Sequence, residues 1–154
     1  MDARREELTR LLQDYAAEAG RLTQVFAERQ AMHTTDLYAL LAVLRADTDG
    51  EPLTPGRLGD HLGLSSGATT ALVDRLERAG HVRRSRDDRD RRRVTLHDGE
   101  AARPVAGAFF GPLDGRMERV LAGYSDAELA AARRFLADMT AMIREYREEV
   151  GDGG

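Results

Sequence analysis

The 154-residue sequence contains no cysteine and no lysine. Without cysteine it forms no disulfide, no thiolate metal site and no thiol-based redox sensor. All 23 basic residues are arginine. That side chain suits bidentate phosphate or guanine contacts, but a chain-wide lack of lysine reads as genome composition rather than a functional choice. No apolar run is long enough to cross a bilayer, and Met1-Asp2-Ala3-Arg4-Arg5-Glu6-Glu7 lacks the apolar core of a secretory signal. The expectation is a cytoplasmic protein with no membrane association.

Catalytic signatures are missing as well. There is no glycine-rich phosphate loop and no serine nucleophile elbow, and the carboxylates follow no distinctive paired spacing, so no enzyme is expected. His33, His61, His81 and His97 form no close ligand pair with one another, which argues against a metal site or bound cofactor. Hydrophobic residues make up 42% and charged residues 32% of the chain, enough for one compact domain over 1–154. With 27 acidic and 23 basic residues, total charge does not favour nucleic acid. Its distribution does. Between positions 83 and 93 stand seven arginines against three aspartates, a local charge of +4 in a chain of net charge -4. A concentrated patch of this kind presents a localised anion-binding surface.

The patch belongs to a stretch, 53–97, that reads as two short helices followed by a hairpin. Thr54-Pro55 opens the first helix, with Leu58 and Leu62 on one face and Gly63-Leu64-Ser65-Ser66 as the turn. The second helix spans about 67–79, packing through Ala68 or Thr69 with Leu72, Val73 and Leu76, and Gly80 stops it. Its polar side carries Ser66, Gly67, Thr70, Ala71, Asp74 and Arg75. Val82 and the alternating Val94-Thr95-Leu96 predict two strands joined by the arginine-rich loop. A solvated charge run of arginine–aspartate pairs is the competing reading of that loop.

The flanks read as helices. Leu8, Leu11, Leu12, Tyr15, Leu22, Val25 and Phe26 recur at helical spacing over 2–30. After a break at 30–34, Thr35 or Asp36 caps a helix that buries Leu37, Leu40, Leu41 and Leu44, and 47–52 form a polar turn. Gly111-Pro112 predicts a kink or interruption in the helical segment 101–120. Ser125 and Glu128 make a capping box for a last helix, 125–149, whose stripe of Leu129, Ala132, Phe135, Leu136, Met139, Met142, Ile143 and Tyr146 is broad for a lone small domain. Residues 152–154 are expected to fray.

The order Leu53-Thr54-Pro55, Leu58-Gly59-Asp60-His61-Leu62, Leu64-Ser65, then the run from Thr69 to Val82 and Arg86 to Val94, resembles the MarR family of bacterial winged-helix regulators. The resemblance extends across nearly the whole chain. It implies a mainly α fold with a small β-hairpin, a winged helix-turn-helix at 53–97, and dimerisation helices at 2–30 and 125–149. It further implies a homodimer on double-stranded DNA with a pseudo-palindromic operator, repressing transcription, nucleoid-associated when bound, and released by a small aromatic effector. A ligand-independent regulator and a winged-helix protein-interaction module are the alternatives. Candidate DNA-binding residues are Ser65, Ser66, Gly67, Thr69, Thr70, Arg75, Arg86, Arg89, Arg91 and Arg92. Thr70 matches the family's groove-facing threonine, whereas Ala71 stands where a larger polar residue is usual. By the same resemblance Asp90 braces the wing with Arg92 as its partner, and Tyr15, His33, Tyr38 and Phe109 are candidates for an effector pocket.

Overall fold

The computed structural model describes residues 2–152. In chain order its elements are α1 (Ala3–Arg29), α2 (Thr34–Thr48), α3 (Pro55–Leu62), α4 (Ser66–Arg78), β1 (Val82–Arg86), β2 (Val94–Asp98), α5 (Ala102–Leu121) and α6 (Asp126–Asp152). The fold is thus mainly helical with one antiparallel hairpin. Two compact units meet in sequence between Phe109 and Phe110.

The first unit holds the core. Leu37, Leu40 and Val43 of α2 pack with Leu58 of α3, Leu72, Val73 and Leu76 of α4, and Val82 and Leu96 of the hairpin, all essentially removed from solvent. Ala27, Ala102 and Val105 extend this cluster, and Phe26 meets Phe109 edge to face at a centroid separation of 4.8 Å. In the hairpin Arg84 lies opposite Leu96 and Ser85 opposite Thr95. Leu96 also donates its N–H to Leu53 O at 2.7 Å, so the segment before α3 ties itself to the edge of β2. That tie leaves no signal in the residue pattern.

Glycines and caps set the corners. Thr54 Oγ1 accepts from Arg57 N, and Ser65 Oγ from Ala68 N, so α4 starts at Ser66, one residue before its expected start. Gly63 at φ 68° closes α3, and Gly80 at φ 75° closes α4 with the paired carbonyl bonds of a left-handed helix terminus. The end of α1 makes the same paired bonds, but there Ala31 occupies the left-handed position at φ 52°.

Two local expectations are corrected. The cap of α2 is His33, which makes no side-chain capping bond; Asp36, expected as a cap, lies inside the helix with its carboxylate turned to α4. The interruption expected at Gly111-Pro112 is absent, and α5 runs through Pro112. Proline removes one ladder hydrogen bond, to Ala108, and Ala108 is exposed, so its freed carbonyl is not sealed in a core.

The second unit comprises the later part of α5, the turn after it, and α6. Ser125 donates its N–H to the Glu128 carboxylate at 2.8 Å and its Oγ accepts from Glu128 N at 3.4 Å, the two arms of the capping box; its hydroxyl also donates to Glu128, and the bonds from Ser125 hold the Glu128 carboxyl below its ordinary pKa. Leu129, Ala132, Leu136, Met139, Ile143, Tyr146 and Val150 follow an alternating spacing of three and four along α6. No described side chain of α6 is buried. On α1, Leu8, Leu11, Tyr15, Leu22 and Val25 are exposed in a stripe of the same kind. Each stripe has the seven-residue repeat that suits a partner helix. Gly153 and Gly154, where fraying was expected, lie outside the described residues.

Candidate nucleic-acid interface

The site starts from α4. Thr69, Leu72, Val73 and Leu76 face the core, while Ser66, Gly67, Ala68, Thr70 and Ala71 line its open N-terminal half. The packing position left open between Ala68 and Thr69 therefore belongs to Thr69. Only 3% of Thr69 is exposed, and its Oγ1 donates to Ser65 O at 2.8 Å. Of the candidate DNA-binding set, Thr69 packs against Gly59 of α3. Thr70 is exposed and donates its hydroxyl to Ser66 O at 2.9 Å, leaving oxygen lone pairs toward solvent. Ser65 uses its oxygen as the cap acceptor and keeps its hydroxyl proton for an outside acceptor.

Arg75 is placed differently from Ser66 and Thr70. Its Nε and Nη2 donate to Asp36 Oδ2 and Oδ1 at 3.2 and 2.7 Å, joining α4 to α2. The Asp36 hydrogen bonds, more than their charge attraction, raise the Arg75 pKa above its ordinary value. Arg75, a candidate groove contact, thus links two helices.

A second link aims the hairpin. Arg84 of β1 ion-pairs with Asp74 at 2.7 Å and with Glu77, both on α4. The Asp74 hydrogen bond is the main reason the Arg84 pKa is raised; burial opposes it, and Glu77 adds to it. A third link reaches the hairpin from α2. Asp47 Oδ1 meets His97 Nδ1 at 2.7 Å, its Oδ2 accepts Asp98 N–H at 3.0 Å, and His97 Nε2 meets the Thr95 hydroxyl at 2.9 Å. Burial pushes the Asp47 pKa up, but the hydrogen bonds from Asp98 and His97 outweigh it and hold the carboxyl below its ordinary value.

At the tip, the aspartates serve the loop's own backbone. Asp87 Oδ1 accepts from Arg89 N at 2.9 Å, and Asp90 Oδ1 from Arg92 N at 3.0 Å, while Arg93 N–H bonds to Asp90 O. Asp90 thus holds Arg92 through its main chain, not through the guanidinium. Arg86 donates to Arg91 O at 3.4 Å and Arg93 lies 3.8 Å from Asp87. Among the described residues, the guanidinium groups of Arg83, Arg89, Arg91 and Arg92 have no acceptor. The reading of the loop as a solvated set of ion pairs fits Arg93 and leaves these four uncommitted.

The order of helices, the tie from Leu53 to β2 and the basic hairpin together form a winged helix, and the sequence comparison agrees. Residues 32–93, from just before α2 to the end of the wing loop, match the model of the MarR family. Over this stretch the chain resembles the MarR family. It is 37% identical over 99 residues to an uncharacterised HTH-type transcriptional regulator, YcgE, of Bacillus subtilis, an alignment covering 64% of each protein. It is 31% identical over 114 residues to the HTH-type transcriptional regulator TtmR of Methylorubrum extorquens, covering 74% of this chain and 54% of that protein. The chain therefore spans less than two thirds of the length of these relatives. A MarR family protein from Bacillus stearothermophilus superimposes with a TM-score of 0.66 at 26% identity, over 93% of this chain and 98% of that one. Streptococcus pneumoniae FabT, solved in complex with DNA, shares the fold at 19% identity with a TM-score of 0.64, over 92% and 98%.

The four effector-pocket candidates are placed differently from one another. Tyr15 and Tyr38 are exposed, and Phe109 packs on Phe26. His33 lines a cleft with Arg75, Arg78 and His81. Sequence reading missed Asp36, Asp47, Asp74, Glu77 and Arg84, whose roles depend on partners in other elements. Among the described residues no group of three or more histidine, cysteine or acidic side chains is placed to hold a metal, and no helix is long and apolar enough to cross a membrane.

Proposed function

We propose that this protein is a homodimeric, sequence-specific DNA-binding transcriptional regulator. The observation that carries the reading is the pairing of the open face of α4, lined by Ser66, Gly67, Thr70 and Ala71, with a wing whose Arg89, Arg91 and Arg92 guanidinium groups have no acceptor among the described residues. Small residues let the α4 backbone approach base edges closely, and the free guanidinium groups meet phosphate or a narrow minor groove. A second copy covers the exposed stripes of α1 and α6. The resulting two-fold axis places two α4 helices in successive major grooves about 34 Å apart on a pseudo-palindromic operator. Repression follows by blocking polymerase, and release follows from an effector that changes the presentation of α4.

Selection of bound sequences from a randomised duplex pool tests this, followed by fluorescence anisotropy on the enriched duplex at several salt concentrations. The expected result is two related half-sites about 10 base pairs apart, with Arg89→Ala reducing the slope of log affinity against log salt by about 1. Absence of an enriched motif, together with an unchanged slope, would leave the winged helix as a protein-interaction module.

A further inference from the structure

On α4 the buried residues are Thr69, Leu72, Val73 and Leu76. At about 3.6 residues per turn, the line through Gly67, Ala71 and Asp74 runs opposite that buried set, with Thr70 on one flank and Arg75 on the other. The longer side chains around this line are committed elsewhere. Asp74 Oδ1 accepts from Arg84 Nη2 at 2.7 Å, and Arg75 is held by Asp36 of α2. Thr70 gives its hydroxyl proton to Ser66 O, so its oxygen is left only to accept. Arg78 lies two turns beyond Ala71, about 10 Å along the axis, too far to share a base with it. Gly67 and Ala71 remain, both exposed. A Cβ added to Gly67 would meet nothing within 4 Å, and its φ is not left-handed. Nothing inside the protein calls for glycine there, and glycine weakens a helix relative to alanine. Its bare backbone therefore serves the outer side, where it leaves the Ala71 methyl accessible to whatever α4 faces.

We propose that Ala71 is a specificity-determining residue and that the base it selects is thymine, met methyl to methyl in the major groove. The assignment rests on the reading of α4 as a groove-facing helix. Of the four bases thymine alone shows an apolar group on its major-groove edge, and alanine is a side chain that meets it. Any other base set against Ala71 would lose water from a hydrogen-bonding edge and gain neither a partner nor a methyl contact in return. On the flank, the accept-only oxygen of Thr70 suits the exocyclic amine of an adjoining adenine or cytosine and rejects guanine, whose O6 and N7 are both acceptors. The α4 helix thus reads its half-site by fit and by hydrogen-bond polarity, without a bidentate side chain.

The test takes the duplex selected from the randomised pool and replaces each thymine of its half-sites in turn, in both half-sites at once, by deoxyuridine, which lacks only the C5-methyl. The methyl lies in the major groove, so contacts of the wing with the minor groove do not respond. At one thymine position the replacement should raise Kd at least fivefold, since one buried methyl is worth about fourfold and two half-sites are changed. In Ala71→Gly the same replacement should change Kd less than twofold, because the partner methyl is gone. Each ratio compares two duplexes on one protein, so any loss of helix stability cancels. Ala71→Gln supplies a side chain that bonds an adenine edge, and repeating the selection with it should enrich a different base at that position. A selected duplex in which no thymine responds to deoxyuridine, an undiminished response in Ala71→Gly, or the same thymine enriched by Ala71→Gln overturns the assignment and leaves sequence-specific binding standing. Absence of any enriched motif for the unmodified protein overturns the DNA-binding reading, and the assignment with it.

Discussion

Gly59 is where α3 and α4 come closest, and adding one methyl group there tests how the motif is packed. A Cβ built on Gly59 would stand 2.5 Å from Thr69 Oγ1, a distance that forces a shift, but 3.4 Å from Thr69 Cβ and Leu64 O, which is tolerable. Two terms oppose each other in Gly59→Ala. Alanine gains about 0.8–1 kcal/mol over glycine inside a helix. Overpacking a tight site costs typically about 1–3 kcal/mol, and Thr69 Oγ1 resists moving because it donates to Ser65 O. The net expectation is a loss of up to about 2 kcal/mol. Thr69→Ala alone costs on the order of 1 kcal/mol, the worth of one hydrogen bond; Ser65 O still accepts Thr69 N at 2.9 Å. With Oγ1 gone, the obstacle to a methyl group at position 59 is gone too. In the Thr69→Ala background, Gly59→Ala should therefore be neutral or stabilising, a reversal of sign with a coupling of about 2 kcal/mol. Urea unfolding followed by far-UV circular dichroism at fixed protomer concentration measures the four proteins, provided their m-values agree. Equal destabilisation by Gly59→Ala in both backgrounds would refute the reasoning.

Other substitutions probe the corners and the wing link. Gly99→Ala should cost on the order of 3 kcal/mol, because its Cβ would meet Gly80 O at 2.1 Å and Gly80 C at 2.8 Å, backbone atoms that cannot rotate away; retention of the unmodified unfolding midpoint would contradict that contact. Ala31→Gly should raise stability by about 0.5–1 kcal/mol, since alanine holds the left-handed position at φ 52° that Gly80 fills at the equivalent terminus of α4; thermal melts of the two proteins decide it. The folded-state pKa of Asp47 is depressed, so its contribution to stability is complete above the ordinary aspartate value of about 4 and is lost as pH falls through the lower folded value. Asp47→Asn should therefore destabilise at pH 6, with the difference shrinking as pH falls below the ordinary aspartate value of about 4, and a difference that stays constant as pH falls counts against the bond to His97 and Asp98.

The parts of the fold legible in the sequence are those whose physics is local. Thr54, Ser65 and Ser125 cap helices through bonds spanning three residues, and Gly63 and Gly80 supply left-handed corners that other residues adopt at a cost. The arginine excess between 83 and 93 is equally local, and so was its exposure. Thr69 escaped because hydrophobicity alone does not say which of Ala68 and Thr69 turns inward, and the answer lies in Gly59 on the neighbouring helix. The bond of Arg75 was not legible for the related reason that its acceptor, Asp36, is 39 residues away, and His97 lies 50 residues from Asp47. Pro112 looked like an interruption because its lost hydrogen bond is certain from sequence, whereas the exposure of Ala108 that makes the loss tolerable is not.

These long-range links share a direction. Asp36 to Arg75 ties α2 to α4, Arg84 ties β1 to α4, and Asp47 ties α2 to β2, so the elements that present the open helix face and the basic wing are fixed to one another by charged groups. The groups that would meet DNA are left out of that network: Arg89 and Arg92 are held only through the loop backbone, by Asp87 and Asp90, and the Arg91 guanidinium has no acceptor among the described residues. Such a division has a mechanical consequence. Side chains without internal partners contribute affinity with no internal bond to break, while a change at Arg75 acts on how the whole of α4 is seated. Substitution at the wing tip should therefore alter salt dependence without altering stability, and substitution of Asp36 should alter both.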